Sequence, residues 1–245
     1  MGLNDDPVVI KYILEHNKKH SKIIYVGHSQ GCNQFNVMCS LMPEFCKKNI
    51  KGMIALGPAI LIDNNNAFEL KLALKLGLIN VFKLLRTREI FPMRDSIATK
   101  IICHTFVFLC NKSIQYLSDA DPVNDNNQKR INVYYSHYPS GTSLKTLNHF
   151  KKLIDKKKFV ELDSDKEYPI ENINVPMYIH VGKHDLLVTP KDARRYVDSL
   201  NKEYVKFYHE YDHIGHLTFF MIDGQDNYVV DVLDNINDIM KNDSS

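Results

Sequence analysis

The residues best placed to do chemistry begin with a short block. An apolar run, Ile23 to Val26, leads directly into Gly27-His28-Ser29-Gln30-Gly31. This is the G-x-S-x-G pattern of a nucleophile elbow, in which a serine sits on a sharp strand-to-helix turn with its hydroxyl exposed. Small residues on either side, Gly27 and Gly31, are expected to let strand and helix pass close together. A serine hydroxyl is a poor nucleophile at neutral pH. It needs a base to take its proton, and the base needs an acid to hold its tautomer and stabilise its cation. Asp185 and His216 are the candidates for acid and base. Each has a rival reading. Asp185 also suits the opening of a turn before Leu186. His213 follows its strand sooner than His216, whereas Gly215 gives His216 a flexible approach and Leu217-Thr-Phe-Phe220 an apolar support. Ser140 lies in a turn with no strand before it, His28 and His137 read as local packing or polar contacts, and His184 is a weak candidate for any role.

The elements that must position these side chains follow from the apolar pattern. A helix begins near Pro7, with Val9, Ile10, Ile13 and Leu14 as its apolar face. Strand 22–27, a helix over 30–45 and strand 50–56 come next, ended by Gly57-Pro58. Helix and strand alternate, which implies a parallel sheet. Between about 61 and 172 the rhythm is lost. Leu70 to Leu85, with Lys71, Lys75 and Lys83, reads either as a helix packed in a cap or as one that meets a lipid surface. Ile101 to Cys110 is apolar but short, residues 119–132 are rich in Asp and Asn and read as a loop, Tyr134 to Ser143 is turn-rich, and Leu144 to Ile154 is helical. The rhythm resumes with strand 176–181, helix 191–200, strand 204–209 and a closing helix 228–240, whose stripe is Val229, Val230, Val232, Leu233, Ile236 and Ile239. In α/β sheets working residues sit at the carboxyl ends of strands. Ser29, Asp185 and His216 all meet that test, in the chain order of α/β-hydrolases.

Composition excludes several classes. Apolar residues make up 44% and charged ones 24% of 245 residues, with a formal net charge of +2, so nothing marks a nucleic-acid binder. No apolar run approaches the ~20 residues that span a bilayer, and no signal-peptide pattern opens the chain. Cys32, Cys39, Cys46, Cys103 and Cys110 form no C-x-x-C pair, so no structural zinc site is expected. The first three recur every seven residues and read as small core residues on one helix face, and the odd total argues against a disulfide framework. A tetrahedral oxyanion needs two backbone donors. Gln30 supplies one; the other is expected from a loop after an earlier strand, and only a helix lies upstream of residue 22.

Four stretches together resemble the acid lipase family of gastric and lysosomal lipases. They are Gly27-His-Ser-Gln-Gly31, Ser136-His-Tyr-Pro-Ser-Gly-Thr-Ser143, Gly182-Lys-His-Asp-Leu-Leu187 and Gly215-His-Leu-Thr-Phe219. The likeness runs through nearly the whole chain, and the His-x-Pro-x-Gly-Thr-Ser block makes it specific. It implies an α/β-hydrolase fold lacking its first strands: a parallel sheet with a mainly helical cap insertion. Residues 1–60 would form the N-terminal part of the core, 61–172 the cap and lid, and 173–245 the C-terminal part. The resemblance implies Ser29 as nucleophile, Asp185 as acid, His216 as base and Gln30 as oxyanion donor. It further implies cleavage of neutral lipid esters, triacylglycerol or sterol esters, at a lipid–water interface, without metal or cofactor, in a secreted or lysosomal setting. On that route Asn111 and Asn242, both in glycosylation sequons, could carry glycans.

The opening Met1-Gly-Leu-Asn-Asp-Asp-Pro7 looks like the family's helix just before the elbow strand. Family members carry four strands and a His-Gly oxyanion loop before that point. Lys22–Val26 is therefore expected at an exposed apolar sheet edge. Losing one oxyanion donor costs about 10²–10³ in rate, so a chain of this length is expected to be a fragment that turns over ester weakly or not at all. A cysteine expected near Leu117–Ser118, to pair with a cap cysteine, is absent. Two other functions stay open: a carboxylesterase on short soluble esters, and a non-catalytic lipid-binding or regulatory remnant.

Overall fold

The computed structural model describes residues 1–17, 19–67, 77, 84, 89–90, 112, 115, 118–135, 137, 141–222 and 227–242. In chain order the described elements are α1 (Asp5–His16), β1 (Ile23–His28), α2 (Gln30–Leu41), α3 (Pro43–Asn49), β2 (Ile50–Leu56), β3 (Glu89–Ile90), α4 (Pro122–Asp125), a 3₁₀ turn (Gln128–Arg130), α5 (Ile131–Tyr135), β4 (Thr142–Ser143), α6 (Leu144–Lys156), β5 (Met177–Gly182), α7 (Pro190–Ser199), β6 (Val205–Tyr211), α8 (Thr218–Met221) and α9 (Asn227–Asn242), with further 3₁₀ turns at Ile170–Asn172 and Lys202–Tyr204. Four strands form one parallel sheet in the order β1-β2-β5-β6. A parallel sheet joined by crossover helices is covered on both faces, so its strands read as continuous apolar runs rather than alternating ones. β2 and β5 are of this kind.

Alternation along β2 and β5 divides the core in two. Met53 and Ala55 of β2, with Met177, Ile179 and Val181 of β5, pack with Phe35 and Met38 of α2 and Tyr196 of α7. Ile54, Leu56 and Tyr178 point to the other face, against Phe219 of α8 and Ile239 of α9. Two groups of buried polar side chains tie the layers together. The Tyr196 hydroxyl donates to Asn36 Oδ1 at 2.9 Å, tying α7 to α2. His180 of β5 contacts the Tyr211 hydroxyl of β6 through Nδ1 at 2.8 Å, that hydroxyl donates to Asp231 of α9, and the Asn235 amide donates to His180 Nε2. Burial pushes His180 down to about 4, so the network runs through a neutral imidazole.

Several expectations need correction. The helix expected over 30–45 is two helices. α2 stops at Leu41 and α3 starts at Pro43, because a proline has no N–H to continue the α2 ladder. The reversal brings Cys46 back to Cys39, and the two form a disulfide with Cα atoms 5.5 Å apart. On one uninterrupted helix, seven residues would separate them by about 10 Å, too far to bridge. Both remain fully buried, as does the free Cys32. The segment 119–132 is not a simple loop, since it carries α4, the 3₁₀ turn and the start of α5, and buries Asp119, Asp125 and Asn126. The α9 stripe is narrower than expected: Val230 and Leu233 face outward, while Val229, Val232, Ile236 and Ile239 pack inward. On α1, likewise, Val9 and Ile13 are exposed and Ile10 and Leu14 pack inward. Among the described residues β1 lies at the edge of the sheet, and Val26 is 54% exposed. The expected helix over Leu70–Leu85, apart from Gly77 and Leu84, lies outside the described residues, as do Ile101 to Cys110, Asn111 and Ser140. Among the described residues no helix is long and apolar enough to cross a membrane.

Candidate active site

All four strands run the same way, so their carboxyl ends share one rim, and the three sequence candidates meet there. β1 ends at His28 and the chain turns sharply into α2. Ser29 occupies that turn at φ 50° and ψ −111°, a positive φ that a residue with a side chain adopts only when its surroundings enforce it. The enforcement is visible. The Ser29 N–H donates to the Leu56 carbonyl at 3.0 Å, and a Cβ on Gly27 would sit 3.0 Å from the Gly31 carbonyl carbon. Gly27 is therefore the residue that the close crossing requires. Gly31 is not required in the same way, since a Cβ there would meet open space.

β5 ends at Gly182, and Asp185 follows in the next turn. Its two carboxylate oxygens are engaged separately. Its Oδ1 accepts the N–H groups of Leu187 and Val188 at 2.8 and 2.7 Å, which closes a turn. Its Oδ2 lies 2.7 Å from His216 Nδ1. β6 ends at Tyr211, and the loop beyond it delivers His216, whose Nε2 lies 2.8 Å from Ser29 Oγ. With the proton on Nδ1, the imidazole donates to Asp185 and accepts from the Ser29 hydroxyl, so every contact is satisfied. Asp185 and His216 are 2% and 4% exposed, so bulk water does not compete for these bonds. The rival base, His213, is turned to solvent and lies nearest to Asp125 instead. Gln30 opens α2, where a backbone N–H has no partner within the helix and forms part of the positive end of its dipole.

Residues 4–221 match the family described as the alpha/beta hydrolase fold. The chain belongs to that family. Among curated proteins it is 30% identical over 235 residues to human lipase member K, covering 87% of this chain and 57% of that protein. It is 28% identical to rat lysosomal acid lipase/cholesteryl ester hydrolase, over 87% of this chain and 58% of that one. The chain thus spans a little over half the length of these relatives. Among solved structures, a soluble variant of monoglyceride lipase from Saccharomyces cerevisiae, in complex with a substrate analog, aligns with TM-score 0.56 over 96% of this chain and 66% of that one. At 15% identity that likeness speaks to the fold alone.

Two neighbours of His216 in this α/β-hydrolase fold support it: His28, expected to make packing or polar contacts, and Asp119, to which the sequence did not point. His28 Nε2 donates to the His216 carbonyl at 2.8 Å, and its ring packs on His216 and Phe220. Burial, with the adjacent His216, pushes His28 down to about 3, so it stays neutral and braces the loop. Asp119 was missed. It is fully buried, its Oδ1 accepts the Leu217 N–H at 2.9 Å, and its Oδ2 has no partner among the described residues. It also gives Gly215 a different purpose from flexibility, because a Cβ there would lie 2.4 Å from Asp119 Oδ1. Burial drives the Asp119 carboxyl up to about 7. For His216 burial opposes the charged form, but Asp185 and then Asp119 outweigh it and hold the imidazole above its ordinary value.

These directions make a prediction for Asp119→Asn. An imidazole can act as a base only when neutral. Removing the Asp119 charge therefore moves the acid limb of any His216-dependent rate to lower pH. For stability, the folded Asp119 pKa lies above its unfolded value near 3.8, so its contribution is complete below that value and is lost as pH rises through about 7. Thermal unfolding of wild type and variant between pH 4 and 8 should show a fall in the wild type that Asp119→Asn lacks. Parallel curves would exclude this role.

Proposed function

We propose that the site hydrolyses carboxylic esters of neutral lipids through an acyl-enzyme, with Ser29 as nucleophile, His216 as base and Asp185 as acid. The observation that carries the reading is the continuous line of hydrogen bonds, 2.8 Å from Ser29 Oγ to His216 Nε2 and 2.7 Å from His216 Nδ1 to Asp185 Oδ2. Ser29 Oγ attacks the ester carbonyl carbon as its proton passes to His216 Nε2. The imidazolium is stabilised by Asp185 and then protonates the departing alcohol. Water, deprotonated by the same imidazole, attacks the acyl-serine ester and releases the acid. The Gln30 N–H is our candidate for one donor to the oxyanion.

The lipid side of the proposal draws on the relatives, whose names include lipases and a cholesteryl ester hydrolase. It also draws on a groove of about 410 Å³ whose lining includes Gln30 and the apolar side chains of Val37, Phe150, Leu153 and Phe159, among polar ones such as Asn33 and Lys145. Residues 61–172 are assigned as a cap over the rim, a role consistent with Asp119 and Ala120 pairing against the turn at His184 to Leu186. The Cys39–Cys46 disulfide fits an oxidising compartment, in keeping with a secreted or lysosomal location and with glycosylation at Asn242.

Substrate class is tested by following hydrolysis of tributyrin across its solubility limit. A lipid-ester hydrolase gains rate as the emulsion forms. A rate that tracks only dissolved ester would favour a carboxylesterase of short soluble substrates and would overturn the lipid assignment.

A further inference from the structure

Behind the Asp185 turn, three side chains that the mechanism does not use come together. His184 Nδ1 lies 2.6 Å from Asp125 Oδ2, and His213 Nδ1 lies 4.0 Å from Asp125 Oδ1. One ligand atom from each residue lies within 4.8 Å of the others. They come from three separate segments: the end of α4, the loop after β5 and the loop after β6. Backbone bonds pin the segments together, since the Ala120 N–H donates to the His184 carbonyl at 2.8 Å and the His184 N–H donates to the Ile214 carbonyl at 3.0 Å. The carboxylate is sheltered, with its side chain 2% exposed, whereas the His213 side chain is 82% exposed and free to swing.

We propose that Asp125, His184 and His213 bind a divalent cation of the zinc class. Two imidazoles and one carboxylate suit Zn²⁺ and its neighbours, whereas Ca²⁺ and Mg²⁺ prefer all-oxygen shells. Zinc holds nitrogen and oxygen ligands at about 2.0–2.2 Å, so ligands around a tetrahedral ion stand roughly 3.3 Å apart. The two Asp125 contacts straddle that spacing, and rotation of the exposed His213 ring with a small opening of the His184 pair would reach it. A fourth position is left to water. Lys183 is close in sequence, but its charge is engaged by Asp212 at 2.5 Å. His184 precedes Asp185 and His213 lies three residues before His216, so a bound ion would join the two loops that carry the acid and the base.

The test is titration of the chelator-treated chain with ZnCl₂ by calorimetry, paired with Co²⁺ absorption. Neither readout requires the chain to hydrolyse anything. The expected result is one saturable site per chain, unaffected by excess Ca²⁺ or Mg²⁺. His213→Ala should weaken it about tenfold or more and remove the visible Co²⁺ bands, as should His184→Ala. Zinc should also raise the unfolding midpoint of the wild type but not of His213→Ala, a variant at an exposed position that keeps the fold. Binding that fails to saturate at one equivalent, or that is indifferent to His213→Ala, would overturn the proposal.

Discussion

Ser29→Ala is expected to lower ester turnover by about 10⁴- to 10⁶-fold, the scale on which loss of a serine nucleophile acts in a hydrogen-bonded triad. The residual rate would come from the oxyanion donor and substrate binding alone. The variant should fold as the wild type does, because alanine has the same backbone freedom as serine and the turn is held by the Ser29 N–H to Leu56 bond and by the Gly27 crossing. Unfolding midpoint and p-nitrophenyl butyrate hydrolysis, measured on the same preparations, separate the two effects. A rate unchanged at equal stability would assign the hydrolysis to another group. The experiment is meaningful even for slow turnover, since it compares two forms of the same chain.

Asp185→Asn should cost about 10⁴ in kcat with little change in KM. The argument is one of tautomers. Asparagine keeps an oxygen for the Leu187 and Val188 N–H groups, so the turn survives. Its amide nitrogen then faces His216 Nδ1, which must become an acceptor. The ring proton moves to Nε2, where it points at Ser29 Oγ and blocks the position that should receive the hydroxyl proton. A base in the right place but the wrong protonation state cannot work. Steady-state kinetics on a soluble ester would show this as a loss confined to kcat. A loss confined to KM would instead mark Asp185 as a residue of substrate binding.

The parts of the site that were legible in the sequence are those encoded locally. The elbow is a contiguous motif, and its apolar strand and following helix are neighbours in the chain. Asp185 and His216 were reachable because a parallel sheet puts all its strand ends on one rim, so position after a strand stands in for position in space. Asp119 had no such handle. It lies in an Asp- and Asn-rich stretch whose composition reads as solvated loop, and its burial depends on Gly215, 96 residues away, leaving room for its carboxylate. Asp125, His184 and His213 were obscured for the same reason, being spread over three segments. The Cys39–Cys46 bond was legible in principle, because Pro43 between them breaks the helix that would have kept them apart. The outward turn of Val230 and Leu233 reflects a helix that rests on the sheet along one narrow line, which overall apolarity overstates.

The central claim is that the Ser29 hydroxyl is activated by His216. It is tested most directly by reacting the chain with a fluorophosphonate probe and locating the adduct by peptide mass spectrometry. The account predicts one adduct, on Ser29, formed more slowly as pH falls and lost in His216→Ala although that variant retains Ser29. No adduct on Ser29, or an adduct that forms equally fast without the imidazole, would contradict it.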